Sequence, residues 1–193
     1  MRLRPSGKGG MLITSIEAFE DYQRREAWTW EHQALLHARA IGGDPGLCER
    51  FSAVRARVLQ ECVRRTTLRE EVQRMRARMR AELSAAGPGE VDLKQDPGGI
   101  ADIEFLAQYW ALRWAGEYPP VAYYADTIRQ LESVASADLV PQGTVDVLTN
   151  AYRKYRERSH HRAIAGLNAV VPDRDFAAER AAVSAIWRQA MQV

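Results

Sequence analysis

Acidic side chains and paired glycines stand close together between residues 92 and 105, in the run DLKQDPGGIADIEF. Gly98 and Gly99 directly precede a segment with helical periodicity, whose first turn would offer unpaired N–H groups and a partial positive charge. At 100° per residue, Asp102 falls inside the apolar arc of that helix and Glu104 falls outside it. A carboxylate that points into an apolar interface is costly unless it is paired or hydrogen-bonded. The pattern therefore predicts a partner for Asp102: an arginine, backbone donors or a ligand.

Two interpretations of Asp102 remain open from the sequence. It could form a structural ion pair with the N-terminal part of the chain, where Arg2, Arg4 and Arg39 are the candidate partners. It could instead contribute to an active site. A first-turn carboxylate gains up to about 1 kcal/mol from the helix dipole, which alone is too little to offset burial, so a cationic partner is expected in either case.

Other candidate sites have ordinary structural explanations, which we favour. The glycine-rich residues 6–10 could hold a phosphate if they opened directly onto a helix, but a short apolar stretch intervenes. Asp173 and Asp175 have the spacing of a two-carboxylate metal motif, yet their position before a helix favours N-capping. Trp28 and Trp30 are expected to anchor the core.

From residue 44 onward, apolar residues recur every three or four positions, which predicts helices. On the second of these helices the arginines are expected to lie away from an apolar stripe, which consists of Leu68, Val72, Met75, Met79 and Leu83. The predicted helices span about 44–60, 67–83, 100–115 and 125–135, with two more beginning near 141 and after 172. Five or six amphipathic helices joined by short loops predict a mainly α fold, a helical bundle.

The first 43 residues differ from the rest. An alternating stretch, a glycine-rich turn and a short apolar stretch within residues 1–14 are typical of a β-hairpin. Thr14 and Glu17 have the spacing of a capping box, which predicts a helix from there to about Glu26. We therefore divide the chain into residues 1–43 and 44–193.

Composition excludes several classes of protein. The 193 residues are 46% hydrophobic and 27% charged, with a net charge of +2, which is globular and argues against a nucleic-acid partner. No apolar run approaches the roughly 18–20 residues of a membrane span, and the first residues lack the apolar stretch of a secretory signal. Cys48 and Cys62 have no His or Cys neighbours at metal-ligand spacing. Together these features predict a cytoplasmic protein with neither a membrane nor a nucleic-acid partner.

Several segments, in this order, resemble one enzyme family. They are RLRPSG at 2–7, EAWTWEHQAL at 26–35, DLK at 92–94 and GGIADIEF at 98–105. Together they look like the bifunctional glutamine synthetase adenylyltransferase/adenylyl-removing enzyme of bacteria. Ser6 and the Trp-Thr-Trp-Glu-His run are similar to its C-terminal, adenylylating half, and the last residues look like its C-terminus.

The resemblance implies a nucleotidyltransferase with a Gly-Ser, an Asp-x-Asp pair and a third acid, in which the carboxylates hold two Mg²⁺ ions. The third acid stands just ahead of the Arg-Leu-Arg-Pro run in that family, and none of these acids occurs in the chain. The chain is therefore expected to be a fragment. Residues 1–43 would be a hairpin and helix at the edge of a nucleotidyltransferase α/β domain, and 44–193 the helical domain. No catalytic residue, metal ligand or tightly bound cofactor is expected here, since Mg²⁺ and ATP would belong to the whole enzyme.

The resemblance also implies a function for that whole enzyme, the transfer of AMP from ATP to a tyrosine of glutamine synthetase. Its implied partners are glutamine synthetase and the PII signalling protein. Arg2 and Arg4 would face phosphates or the absent acids, because guanidinium groups suit both. Lys94 and Asp102 would close the site from the helical side. The alternative is a non-catalytic helical module that docks glutamine synthetase or PII.

Overall fold

The computed structural model describes residues 13–192. It begins with two short helices, α1 (Ile16–Arg25) and α2 (Thr29–Leu36). Ser15, rather than Thr14, caps α1: its backbone is extended and its Oγ accepts a hydrogen bond from the Ala18 amide at 3.1 Å. The capping position expected from the Thr14 spacing is thus wrong by one residue. The predicted hairpin lies almost entirely in residues 1–12, outside the described part of the chain.

Six further helices follow, and they confirm the mainly α fold. They are α3 (Pro45–Glu61), α4 (Leu68–Leu83), α5 (Ile100–Trp114), α6 (Thr127–Ser136), α7 (Gln142–Ile164) and α8 (Ala177–Met191). A 3₁₀ helix, Pro119–Ala122, connects α5 to α6. Among residues 13–192, no helix is both long and apolar enough to cross a bilayer.

The centre of the bundle is α5. Every residue from Ile100 to Leu112 is buried except Glu104, which is partly exposed. Helices α2, α4, α6, α7 and α8 all pack against it. A helix that is surrounded in this way must be apolar on all sides, which explains the broad apolar arc seen in its sequence.

The first two helices share this core. α1 packs on α3, and α2 packs on α3, α4 and α5. Phe19, Leu35 and Leu36 are buried in the same hydrophobic cluster as the later helices. The functional division at residue 43 stays a prediction.

A small antiparallel sheet was not predicted from the sequence. β1 (Glu90–Asp92) pairs with β2 (Val170–Pro172), with Val91 opposite Val171. The expected N-capping role of Asp173 and Asp175 is also wrong, since Phe176, with φ of 55°, occupies the N-cap position of α8. The Asp173 amide instead donates to the Gly89 carbonyl oxygen at 3.0 Å, which extends the contact between the two strands.

Candidate functional site

Asp102 lies in the first turn of α5 and is buried, as its place in the apolar arc predicts. Its Oδ1 accepts a hydrogen bond from Arg76 Nε at 2.6 Å, and its Oδ2 accepts one from the Gly98 amide at 2.7 Å. The partner is therefore an arginine of α4, and the expectation of Arg39 is wrong. Arg2 and Arg4 lie outside the described residues.

Arg76 connects three elements of the fold. Besides Asp102, its guanidinium donates through Nη2 to the Gln95 carbonyl oxygen at 2.6 Å. Its side chain is only 4% exposed, which contradicts the expectation that the arginines of α4 lie away from the apolar stripe. The sequence contained a signal for this position, because Leu68, Val72 and Arg76 follow one another at four-residue spacing and so share a helix face.

The turn between β1 and α5 is built by its own side chains. Asp92 Oδ1 accepts hydrogen bonds from the amides of Lys94 and Gln95 at 2.8 and 3.1 Å. Asp96 Oδ2 accepts from the Asp92 amide at 2.8 Å, and its Oδ1 accepts from the Ser84 hydroxyl at 2.7 Å. These acidic residues of the sequence motif therefore have a structural role in shaping the turn.

The paired glycines are required because the turn is tightly enclosed. At Gly98, which has φ of 78°, a Cβ would lie 2.2 Å from the backbone oxygen of Arg180 in α8. At Gly99 it would lie 2.5 Å from the Leu93 carbonyl oxygen. No other residue type fits at either position without displacing backbone. The turn is thus held between α5 and α8.

Burial raises the pKa of Asp102, while the positive charge of Arg76 and the hydrogen bond from Gly98 act in the opposite direction. Arg76 and Gly98 each donate to one carboxylate oxygen, so both oxygens of Asp102 take part in structural hydrogen bonds. This geometry is a structural ion pair, but its cation comes from α4 and not from the N-terminal part of the chain. It joins α4 and the turn to α5.

Lys94 lies in the same turn but does not join this pair. Its side chain is exposed, whereas its backbone oxygen accepts from the Ala101 amide at 3.1 Å. The structure therefore places Lys94 on the surface beside the buried Arg76–Asp102 pair.

The Trp-Thr-Trp-Glu-His run forms the start of α2, and most of its polar groups are used internally. Glu31 accepts hydrogen bonds from the Tyr22 hydroxyl at 2.8 Å and from the Trp28 amide at 2.9 Å. Burial and the neighbouring Glu31 raise the pKa of Tyr22 to about 12. The Thr29 hydroxyl donates to Glu71 of α4. The run thus fixes α2 to α1 and α4.

A chain of hydrogen bonds continues from α2 to the loop before α6. Gln33 Nε2 donates to Gln108 Oε1 at 2.9 Å, and Gln108 Nε2 lies 2.8 Å from His37 Nε2. His37 Nδ1 lies 2.7 Å from the Ala125 carbonyl oxygen. Because a carbonyl can only accept, Nδ1 carries the proton and Nε2 accepts from Gln108.

Trp28 differs from its expected role as a core anchor. Its side chain is 62% exposed, whereas Trp30 is partly buried. Trp28 occupies the N-cap position of α2 with an extended backbone. The residues of α2 that follow it are mostly buried, whereas the Trp28 side chain lies outside the core. It lines a shallow surface cleft together with Met75, Arg74 and Arg78 of α4.

Comparison with known proteins gives matches along the chain. Residues 1–54 match the family described as GlnE, glutamate-ammonia ligase adenylyltransferase. Residues 66–164 match the family described as GlnD PII-uridylyltransferase. Over 191 residues the chain is 46% identical to the bifunctional glutamine synthetase adenylyltransferase/adenylyl-removing enzyme of Thioalkalivibrio sulfidiphilus (strain HL-EbGR7).

The chain belongs to the glutamine synthetase adenylyltransferase family. The match covers 99% of this chain and 20% of the Thioalkalivibrio protein, so the chain spans about a fifth of that relative's length. Helix α2 lies within residues 1–54, which match the first family, and the Arg76–Asp102 pair lies within residues 66–164, which match the second.

The described residues offer no candidate metal centre. Within residues 13–192, no group of three or more His, Cys, Asp or Glu side chains is placed to hold a metal ion. The donor set for the Mg²⁺ ions that the family resemblance implies is therefore not found in this part of the chain.

Proposed function

We propose that this chain works as part of an enzyme that transfers AMP from ATP to a tyrosine of glutamine synthetase, with Mg²⁺ and ATP as cofactors. The observation that carries the proposal is the 46% identity to a glutamine synthetase adenylyltransferase over 99% of the chain. Glutamine synthetase is then the protein substrate, and PII is a proposed regulatory partner.

Within that enzyme, the helical part would support the active site rather than perform chemistry. The buried Arg76–Asp102 pair and the enclosed glycines hold the turn 92–99 rigidly, so that Lys94 is presented on the surface. We infer that Lys94 faces the nucleotidyl-transfer domain, and that Arg2 and Arg4 contact phosphates there. Asp102 acts through Arg76 and the turn, and is a positioning residue in this proposal.

A chimera tests the proposal directly. The aligned region of the Thioalkalivibrio enzyme is replaced with this chain, and transfer of labelled AMP from ATP to glutamine synthetase is measured in the presence of Mg²⁺. We expect the chimera to label glutamine synthetase, and we expect this chain alone to label none. A well-folded chimera without transfer activity would contradict the proposed function.

Two variants of the chimera then test the roles of single residues. Lys94→Ala removes an exposed side chain, so it should lower kcat/KM without changing the melting temperature. Arg153→Ala removes an exposed basic side chain of α7 and is the matched control, which should leave both unchanged. Equal kcat/KM for the two variants would remove Lys94 from the functional residues.

The alternative function, a non-catalytic module that docks glutamine synthetase or PII, is favoured by one feature. Trp28 is 62% exposed beside Arg74 and Arg78, and exposed aromatic and arginine side chains are typical of protein interfaces. If Trp28→Ala abolishes binding of this chain to either partner while Lys94→Ala leaves AMP transfer intact in the chimera, the docking role is the better description.

A further inference from the structure

A cleft of about 520 Å³ opens between α4 and α8, next to the first turn of α5. Its walls carry Arg76 and Arg80 from α4, and Ser184 and Arg188 from α8. Asp102 also lines it. The volume lies in the range of sites that bind small molecules, which is about 300–1,000 Å³.

The charges of the cleft are unbalanced in favour of cations. Asp102 is paired with Arg76, and both of its carboxylate oxygens already accept hydrogen bonds. Neither Arg80 nor Arg188 forms an ion pair with any residue in the range 13–192. One carboxylate against three guanidinium groups therefore leaves two positive charges in the cleft without a counter-ion from the described residues.

A buried donor in the cleft is also unsatisfied. The Arg76 side chain is 96% buried, and its Nε and Nη2 donate to Asp102 and Gln95, but Nη1 has no hydrogen-bond partner among the described residues. A buried, charged donor without an acceptor is costly, and such groups in proteins normally meet a ligand or ordered water. Arg76 Nη1 is thus a buried charged donor beside the cleft that lacks an acceptor among the described residues.

We propose that this cleft binds a phosphate group, either free or as part of a small metabolite. Arg80 and Arg188 pair with its two negative charges from opposite walls, while the Ser184 hydroxyl donates to one of its oxygens and the buried Arg76 adds positive charge behind the cleft wall. A tetrahedral dianion suits this site better than a carboxylate, because its oxygens diverge toward donors on both helices and its charge matches the two unpaired arginines. The proposal is independent of AMP transfer.

Calorimetric titration of the chain with inorganic phosphate tests this assignment. The titration is run at constant ionic strength and at about pH 8, where the phosphate is largely a dianion. We expect saturable binding of one phosphate. Arg80→Gln and Arg188→Gln should each weaken it by about tenfold or more, because each removes a charge-assisted hydrogen bond. Ser184→Ala should weaken it in the same direction. Arg80 and Arg188 are exposed, so these variants should keep the melting temperature measured without phosphate.

Arg153→Gln is the matched control, because it removes one exposed arginine that does not line the cleft, and it should leave the affinity unchanged. Binding that does not saturate, or that weakens equally in the control, would overturn the site. Acetate binding as tightly as phosphate at the same ionic strength would overturn the assignment to phosphate.

Discussion

Arg76 and Arg55 are both buried, but different groups compensate their positive charges in the two regions. Arg76 is 4% exposed and donates to the carboxylate of Asp102 and to one carbonyl oxygen. Arg55 of α3 is 9% exposed and donates to three backbone carbonyl oxygens, those of Leu35 and Leu36 at 3.0 and 2.6 Å and of Ala122 at 2.9 Å.

The carbonyls around Arg55 belong to helix ends. Leu35 and Leu36 are the last residues of α2, and Ala122 ends the 3₁₀ helix. The C-terminus of a helix carries a partial negative charge and unpaired carbonyl groups, and α2 has no basic residue in its own last turn. Arg55 therefore supplies from α3 the cation that α2 lacks. Burial lowers the pKa of Arg55, because desolvation disfavours its charged form.

This difference predicts how the stability of each region responds when one of the interacting side chains is substituted. The Arg76 region depends on two opposite full charges, so the loss of one partner leaves the other buried and uncompensated. The Arg55 region depends on one full charge and several dipoles, so the loss of Arg55 leaves only neutral acceptors, of which the Leu35 oxygen still accepts from the Ala38 amide at 3.1 Å.

The largest effect is expected from breaking the pair. Arg76→Leu leaves the Asp102 carboxylate buried without its cation, and we expect it to lower the free energy of unfolding by about 3–5 kcal/mol. The double variant Arg76→Leu/Asp102→Asn should be less destabilised than Arg76→Leu alone, because Asn is neutral and can still accept from the Gly98 amide. Urea denaturation measures both. Additive effects of the two substitutions would show that the pair is not coupled.

A smaller effect is expected at Arg55. Arg55→Met should lower the free energy of unfolding by about 1–3 kcal/mol, through carbonyl groups that lose their donor. The matched control is Arg57→Met on the same helix, since Arg57 is exposed and, among residues 13–192, pairs only with Glu20 at the surface. That control should leave the urea midpoint almost unchanged. If Arg55→Met were more destabilised than Arg76→Leu, the helix ends would compensate a buried charge better than Asp102 does.

The smallest expected effect is the change with pH in the free energy of unfolding that Asp102 contributes. Because burial raises the pKa of Asp102 above its ordinary value of 3.8, the folded chain keeps this proton to higher pH than the unfolded chain. The stability that Asp102 contributes is therefore greatest in acid and decreases as the pH rises from 3.8 through the folded pKa. We expect the free energy of unfolding of the wild type, relative to Asp102→Asn, to fall over this interval and then to level off.

The same measurement on Arg55→Met sharpens the contrast. Neither Arg55 nor its carbonyl partners titrate in that interval, so the difference between wild type and Arg55→Met should not depend on pH there. If the free energy of unfolding of the wild type relative to Asp102→Asn instead rose with pH, Arg76 and Gly98 would have a larger effect on the pKa of Asp102 than burial has.

The helices could be predicted from the sequence because their signals are local. Apolar spacing and capping residues such as Asp44, whose Oδ1 accepts from the Leu47 amide at 2.9 Å, act within a few positions of one another. The β1–β2 sheet could not be predicted in this way. Strands of three residues have no measurable periodicity, and these two pair across a long stretch of sequence.

The site could be predicted only in part. The burial of Asp102 and its need for a cation follow from its position on α5. The identity of that cation does not, because periodicity tells which face of a helix is buried but not which neighbouring helix meets it. Residue type alone predicts the wrong environment for both Arg76, which lies on the buried face of α4, and Trp28, which lies outside the core.

The two-stranded sheet also determines the order in which this region can fold. β1 and β2 close a loop of about 80 residues, and the Leu93 amide donates to the Ala169 carbonyl oxygen at 3.1 Å. The turn 92–99 therefore lacks one wall until β2 and α8, which is about the last eighth of the chain, have been synthesised. Contacts of such high sequence separation form slowly. Residues of α4 and α5 are synthesised before α8, which lies beside their shared ion pair, so we expect that pair to stay hydrated until α8 docks.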